Sequence, residues 1–404
     1  MHCERFPRSL PRGKRAKWKL CFFTSLHFED SLQLAAGSFK GAPRDETSST
    51  WGRDVVCYDP LEASHPVDMT AHIPAADALA AAPASSIRER VAWTALRLLQ
   101  AGVSALPPRL ALGIGRRLGD LAYWVVYPKT RVALRQIATA LGRSLTPSEQ
   151  RAVIHRMYRE FGQGMIEFLR LPRMVAEGRL DDLVAVDGEE FLRAAYAQGK
   201  GVLILTAHYG NFELLATWFA AKGYQANLVT RRLRNGVLDR FWAAQRRRLK
   251  IRGIFKEQSV KEVIARLRCN EAMGYVLDQN MGLDQGVFVE FFGRPACTMT
   301  AVAVLAKRFG SPVVPVFISR DRRDPTRHRI VFEPPLVFEP RGGDGSATGA
   351  DELVAQTQQY TSVIERRIRE RPDHWIWIHR RWNTRPPAGL ATSTRDDAGE
   401  GGAS

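Results

Sequence analysis

The 404-residue sequence lacks any run of 18 or more uncharged apolar residues, so it predicts no transmembrane span. Cysteine is scarce, and Cys269 and Cys297 form no C-x-x-C and have no histidine at metal-ligand spacing. We therefore expect no metal site. The motif G-x-S-x-G is also absent, which argues strongly against a serine hydrolase of the α/β type.

Acidic residues are outnumbered by basic ones. The 59 Lys and Arg against 42 Asp and Glu give a net charge of +17. Such an excess favours an anionic partner, which could be nucleic acid, an anionic membrane surface or an acidic carrier protein. The sequence has no recognised nucleic-acid-binding motif, so we expect no nucleic acid partner. An anionic-lipid or nucleic-acid binding protein is the alternative outside the enzyme class.

Four regions follow one another along the chain. Residues 1–84 have no sustained helical or strand period and are predicted to be disordered, or to be an extension upstream of a true start at Met69. Residues 85–173 have a helical pattern. Residues 174–386 are predicted to form an α/β domain, and residues 387–404 a disordered tail.

The helical region contains two apolar segments that are interrupted by charges, at residues 91–106 and 110–127. Trp93, Tyr123 and Trp124 lie in these segments beside basic residues. This combination is typical of amphipathic helices that lie in the headgroup layer of a membrane. Core helices of a soluble protein are the alternative. We predict N-terminal amphipathic, membrane-associated helices.

Downstream of residue 183, short apolar runs alternate with amphipathic segments. Strands are predicted at Val184–Val186, Val202–Leu205, Ala226–Val229, Met273–Leu277, Val287–Phe291, Val313–Phe317 and Arg329–Phe332. Helices are predicted at Glu189–Gln198, Phe212–Ala221, Asn235–Leu249, Val260–Arg268, Thr298–Phe309 and Asp351–Glu370. Strands separated by helices predict an α/β fold with a mostly parallel sheet flanked by helices.

The segment Gly201–Phe219 contains the strongest catalytic candidates. His208 follows a buried-type strand, and ligands of open α/β sheets bind at the carboxyl ends of strands. An imidazole can take the proton of a hydroxyl as it attacks a thioester carbonyl, and a carboxylate on the other ring nitrogen fixes the tautomer. The intervening turn can bring Glu213 back to His208, so we predict a catalytic pair. A hydrogen-bonded loop histidine is the alternative.

The residues His208–Glu213, HYGNFE, resemble the H-x-G-N-[WF]-E signature of the lipid A biosynthesis (lauroyl/myristoyl) acyltransferases, relatives of the lysophospholipid acyltransferases. Four further segments resemble elements of that family in the same order, over roughly residues 90–386. They are the basic element Arg231–Asn235, the D-Q element at Asp278–Asn280, the G-x-F-V-x-F-F-G-x-x-A-x-T element at Gly286–Thr298 and the P-x-x-W-x-W-x-H-R-R-[WF] element at Arg371–Trp382.

The resemblance implies a glycerol-phosphate-acyltransferase-like fold and transfer without metal or cofactor, with an acyl-carrier protein or CoA thioester as co-substrate. It also implies a phosphorylated glycolipid acceptor and a place at the cytoplasmic face of the bacterial inner membrane, peripheral or N-terminally anchored. Glu213 in place of Asp, and the absence of an F-P-E-G-like block, favour the lipid A branch. A phosphatidylinositol mannoside or lysophospholipid acyltransferase stays open.

The same segments supply the predicted substrate contacts. Arginines suit bidentate binding of a glycolipid phosphate or of a phosphopantetheine carrier, although a solvated helix face is the alternative. Asp278 should lie on the rim beside His208, where it holds the acceptor hydroxyl, orients an arginine or makes a buried salt bridge. The phenylalanines line an acyl tunnel or belong to the core. The predicted set is Gly210, Asn211, Arg231, Arg232, Arg234, Asp278, Gln279, Phe291, Phe292, Gly293 and Thr298.

The last element is rich in aromatic and basic residues. Trp375, Trp377 and Trp382 resemble an interfacial belt, with core packing as the alternative. His379 has a place in the family pattern, and we expect a structural role for it.

Overall fold

The computed structural model describes residues 86–255, 259–336 and 349–387, apart from the side chain of Ser259. The predictions for residues 1–84, for a start at Met69 and for the tail after residue 387 lie outside the described residues.

The described chain begins with helices. They are α1 (Ile87–Ala105), α2 (Pro108–Val125), α3 (Tyr127–Leu141), α4 (Pro147–Ala176) and the single turn α5 (Leu180–Leu183). Among the described residues, no helix is both long enough and apolar enough to cross a membrane.

Helix α4 is the longest helix of this region, and its start follows from the sequence. The Thr146 side chain accepts a hydrogen bond from the amide of Glu149, the Glu149 carboxylate accepts one from the amide of Thr146, and Pro147 occupies the first helical position. Glycines let α2 approach α4 closely, because a Cβ on Gly119 would lie 2.3 Å from the carbonyl oxygen of Tyr158. Local hydrogen bonds thus fix where α4 starts, whereas its packing against α2 fixes where the helix lies.

A seven-stranded sheet has the order β1-β9-β8-β2-β5-β3-β4, and β6 and β7 form a separate antiparallel hairpin. Every neighbouring pair in the large sheet is parallel except β8 and β9. The strands are β1 (Val184–Asp187), β2 (Val202–Thr206), β3 (Ala226–Thr230), β4 (Arg252–Phe255), β5 (Ala272–Val276), β6 (Gly286–Phe291), β7 (Arg294–Met299), β8 (Val313–Arg320) and β9 (His328–Phe332). The predicted α/β fold with a mostly parallel sheet is confirmed.

Two hydrophobic cores lie on opposite faces of this sheet, because successive side chains of a strand alternate between faces. In β2, Leu203 and Leu205 belong to one core, whereas Val202 and Ile204 belong to the other. The flanking helices are α6 (Glu189–Tyr196), α7 (Phe212–Ala221), α8 (Gly236–Arg248), α9 (Ser259–Arg268), α10 (Ala301–Phe309) and α11 (Gly349–Glu370).

Three secondary-structure predictions need correction. The sequence pattern missed β4, a four-residue edge strand that contains Gly253 and pairs with β3. It also missed β7, which pairs with β6. The helix predicted from Thr298 begins at Ala301, because Thr298 and Met299 still pair with β6 in the hairpin. In all three places strand pairing decides the structure, and a local sequence pattern does not reveal such pairing.

Candidate active site

The turn after β2 holds His208 at the carboxyl edge of the sheet. The amide of Gly210 donates to the carbonyl oxygen of His374 over 2.9 Å, and the amide of Ile376 donates to the carbonyl oxygen of His208 over 3.2 Å. Gly210 has a φ of 59°, and a Cβ there would lie 2.0 Å from the carbonyl oxygen of Ile318. Glycine is therefore required to fit the turn against β8.

Asp278 is the carboxylate that contacts His208. Its Oδ1 lies 2.9 Å from Nδ1 of His208, its Oδ2 accepts from the His208 amide over 3.0 Å, and Trp375 Nε1 donates to Oδ2 over 2.6 Å. Asp278 follows β5, which pairs directly with β2. Burial raises the pKa of Asp278, but the imidazole and the hydrogen bonds outweigh burial and hold it well below its usual range. An ionised acceptor at this place fixes the proton of His208 on Nδ1.

The other ring nitrogen of His208 is directed towards a large cavity. Nε2 lies 3.3 Å from the side-chain nitrogen of Gln279, and both residues line the cavity. With the proton on Nδ1, Nε2 carries the lone pair that can accept a proton from a bound hydroxyl. With the Asp278 carboxylate at Nδ1 and the neutral amide of Gln279 at Nε2, the arrangement is that of a general base.

The structure does not pair Glu213 with His208, so that part of the prediction is wrong. Glu213 lies in the first turn of α7, where Arg246 donates to its Oε1 over 2.6 Å and to its Oε2 over 3.2 Å. The indole of Trp242 also donates to Oε1, over 2.8 Å. Both partners belong to α8, and their hydrogen bonds engage the Glu213 carboxylate in place of the imidazole. A catalytic role for Glu213 stays a prediction.

The cavity has a volume of about 1050 Å³ and is mostly apolar. Its polar lining includes His208, Glu213, Gln279 and several arginines. Representative apolar lining residues are Ile204, Phe219, Leu228, Val263, Leu305 and Phe309. A volume of this size, with a few polar groups beside the imidazole, can hold a long hydrocarbon chain.

The predicted basic contacts divide into two groups. Arg231 lines the cavity, whereas Arg232 and Arg234 are exposed and do not belong to its lining within the described chain. The guanidinium carbon of Arg232 lies 4.3 Å from the centre of the Phe255 ring. Arg246 also lines the cavity, and sequence reasoning did not single it out. The sequence signal that could have identified Arg246 was its position in the basic helix that follows Arg231–Asn235.

The predicted contacts of the β6–β7 hairpin are not among the cavity-lining residues of the described chain. Phe291 is fully buried and packs against Trp375 and Trp382. Phe292 and Gly293, with φ of 53° and 70°, form the hairpin turn. Thr298 is buried and accepts from Arg381. Their positions match the core alternative and not an acyl tunnel.

Asn211 is buried, and both of its side-chain polar atoms have protein partners. Oδ1 accepts from the Leu214 amide over 3.1 Å and caps α7, and Nδ2 donates to Glu167 over 2.7 Å. The structure therefore gives Asn211 a role within the protein where the sequence predicted a substrate contact.

The C-terminal segment packs over the catalytic turn. Trp375 and Trp377 are fully buried, so core packing is observed in place of an interfacial belt. The rings of His379 and His208 lie 5.1 Å apart. Burial, with a further contribution from His208, lowers the pKa of His379 to about 3. His379 is therefore neutral beside the candidate base at neutral pH.

Comparisons with known proteins find one bacterial family. A family described as bacterial lipid A biosynthesis acyltransferase matches residues 83–384. The lipid A biosynthesis lauroyltransferase of Escherichia coli (strain K12) is 25% identical over 70% of this chain and 89% of its own length. The myristoyltransferase of the same organism is 24% identical, over 76% and 91%. The palmitoleoyltransferase is 23% identical, over 73% and 91%.

Proposed function

Because the chain belongs to the bacterial lipid A biosynthesis acyltransferase family, we propose that it moves a fatty acyl group from a thioester to a hydroxyl of a lipid A precursor. Membership makes the chain an acyltransferase. The proposal extends this to the donor, to the precursor and to His208 as the general base.

One observation carries the proposal. An imidazole held by a buried carboxylate opens onto an apolar cavity of about 1050 Å³. Acyl transfer needs both parts, because a hydroxyl is a poor nucleophile at neutral pH and a long acyl chain must leave water while its thioester lies beside the base.

The chemistry follows from the atoms at the turn. Nε2 of His208 takes the proton of the acceptor hydroxyl as the oxygen attacks the thioester carbonyl. The carboxylate of Asp278 stabilises the imidazolium that forms, through Nδ1. The tetrahedral intermediate then collapses, the carbon–sulfur bond breaks, and the proton on Nε2 passes to the leaving thiolate. The side-chain amide of Gln279, 3.3 Å from Nε2, is placed to donate to a reacting oxygen.

Glu213 acts in this scheme through Arg246. The guanidinium of Arg246 donates two hydrogen bonds to the Glu213 carboxylate, which hold it in place, and it donates a third to Thr230 over 3.2 Å. A guanidinium fixed at the cavity wall, with Arg231 nearby on the same lining, suits a phosphate of the thioester carrier or of the glycolipid. The thioester of an acyl-carrier protein and that of CoA both satisfy this requirement.

Exposed apolar side chains on α1 and α2 support binding at a membrane surface. Leu98 is 68% exposed and Trp124 is 69% exposed. Arg88, Arg90 and Arg117 are exposed on the same two helices. Apolar and basic side chains together favour the interface of an anionic bilayer, which here is the cytoplasmic face of the inner membrane.

The test of the membrane contact uses Trp124→Ser. We expect several-fold weaker binding to vesicles that contain anionic lipid, because an exposed tryptophan contributes to interfacial binding. Val354→Ser, which changes an exposed apolar residue on α11, is the matched control. Unchanged vesicle binding by Trp124→Ser, or equal loss in both variants, would contradict the proposal.

The test of the reaction uses purified full-length protein, a lipid A precursor, and acyl-carrier protein or CoA thioesters supplied separately. We expect an acylated lipid product from at least one donor and only a small residual amount from His208→Ala, measured by mass spectrometry. Full activity of His208→Ala would refute the mechanism, and acylation of a lysophospholipid or a phosphatidylinositol mannoside alone would refute the acceptor.

A further inference from the structure

A buried ion pair lies directly behind the catalytic turn. Arg320 is the last residue of β8, and Glu167 lies in α4; their side chains are 4% and 6% exposed. Two parallel hydrogen bonds join them, from Nη1 to Oε1 over 2.6 Å and from Nη2 to Oε2 over 2.8 Å. Glu160 and His328 complete the cluster, at 2.8 Å from Nε of Arg320 and 3.0 Å from Oε1 of Glu167.

The pair holds one end of the catalytic turn through Asn211. Nδ2 of Asn211 donates to Oε2 of Glu167 over 2.7 Å, and Oδ1 of the same side chain accepts from the first turn of α7. Asn211 stands three residues after His208, so its position sets where the turn ends and where α7 begins.

The same arginine reaches the other side of the turn through its backbone. The Arg320 amide donates to Nε2 of His374 over 3.2 Å, and the His374 carbonyl oxygen accepts from the amide of Gly210 over 2.9 Å. The next residue, Trp375, donates to Asp278, the carboxylate that binds His208. Residue 320 therefore contacts both segments that hold the turn.

Buried ion pairs contribute little net stability relative to well-packed neutral residues of similar volume, but a fully bonded pair fixes the geometry of what it contacts. Burial raises the pKa of Glu167, but Arg320 and His328 outweigh burial and keep it well below its usual range. Glu167 is thus a permanent acceptor for Asn211 at neutral pH.

We propose that Glu167 and Arg320 are positioning residues for acyl transfer, which fix the turn 208–211 so that Nδ1 of His208 meets Asp278. The proposal rests on the proposed function for its kinetic readout. Neither residue lines the cavity within the described chain, so neither is placed to touch substrate. Glu167 acts through Asn211, and Arg320 acts through Glu167 and, by its backbone amide, through His374.

The central experiment compares Glu167→Gln, Arg320→Gln and the double variant that carries both changes. Each single variant leaves a buried charge without its partner and is expected to fold less well. The double variant removes both charges of the buried pair and leaves only the partly exposed Glu160 carboxylate without its arginine, so it is expected to recover folding. We expect kcat per folded enzyme to remain about 10- to 100-fold low in the double variant, with KM for donor and acceptor within about twofold, because a small displacement of a catalytic group is costly.

Two comparisons separate positioning from a general loss of structure. Arg320→Lys retains the charge but loses the bidentate geometry, and should retain more activity than Arg320→Gln. Arg329→Gln breaks the exposed ion pair with Asp187 on the adjacent strand and should leave kcat unchanged. Wild-type kcat in a folded double variant would overturn the proposal.

A second readout does not depend on activity. The proton on Nδ1 of His208, hydrogen-bonded to Asp278, should give a distinct NMR signal in selectively labelled wild-type protein, identified by its loss in His208→Ala. We expect this signal to shift or vanish in the folded double variant and to persist in Arg329→Gln. An unchanged signal in the double variant would overturn the positioning proposal even if the acyltransferase assay itself gave no product.

Discussion

Two buried carboxylates lie on opposite sides of the catalytic turn, and they have similar surroundings but different partners. Asp278 accepts from the indole of Trp375 and contacts the His208 imidazole. Glu213 accepts from the indole of Trp242 and from the guanidinium of Arg246. In the proposed mechanism Asp278 orients the His208 imidazole and Glu213 holds Arg246 at the wall of the cavity, although Glu213 is the nearer of the two to His208 in sequence.

The largest expected effect distinguishes Asp278 from Glu213. Asp278→Asn should lower kcat by about 10³- to 10⁴-fold with little change in KM, because an amide cannot hold the Nδ1–H tautomer or stabilise the imidazolium. Steady-state kinetics of the folded variant measure this effect. Asp187→Asn, at an exposed carboxylate on β1, is the control and should be neutral.

Glu213→Gln should have a smaller effect of a different kind. The variant keeps an acceptor for Trp242 but weakens the hold on Arg246, so we expect kcat/KM to fall about 10- to 100-fold. The loss should appear largely in KM for the phosphate-bearing substrate. If Glu213→Gln lowered kcat as far as Asp278→Asn and left KM unchanged, the assignment of the two carboxylates would have to be reversed.

The sequence predicted the α/β fold correctly because buried apolar runs and helical periods are local signals. It also predicted that Asp278 lies on the rim of the sheet beside His208, since both residues follow predicted strands. It assigned the wrong carboxylate to the imidazole, because pairing of β2 with β5 is a contact between distant residues, whereas the motif from His208 to Glu213 is contiguous. No local sequence pattern predicts how the helices pack. The contacts of Glu213 with α8 and the ion pair of Glu167 with Arg320 both depend on that packing.

A double-variant measurement sharpens the comparison further. In a His208→Ala background, Asp278→Asn should change the residual rate by no more than about twofold, because residues that act as one unit are strongly non-additive. Glu213→Gln should still weaken substrate binding in that background, as measured by equilibrium binding of a non-reacting thioester analogue. Full additivity of Asp278→Asn with His208→Ala would show that the two residues do not act as one unit.

The smallest expected effect concerns the stability of the protein. It involves His379, whose ring packs against the His208 ring that Asp278 holds. Burial lowers the pKa of His379 to about 3, against about 6.5 for an unfolded histidine. Between these values the unfolded state binds a proton that the folded state does not, so the free energy of unfolding falls as the pH falls through this window. His379→Gln should therefore flatten the decline between about pH 6.5 and the onset of acid unfolding, by a few kcal/mol at most. Urea unfolding at a series of pH values measures the slope, and an equal slope in wild type and variant would mean that His379 is protonated in the folded protein.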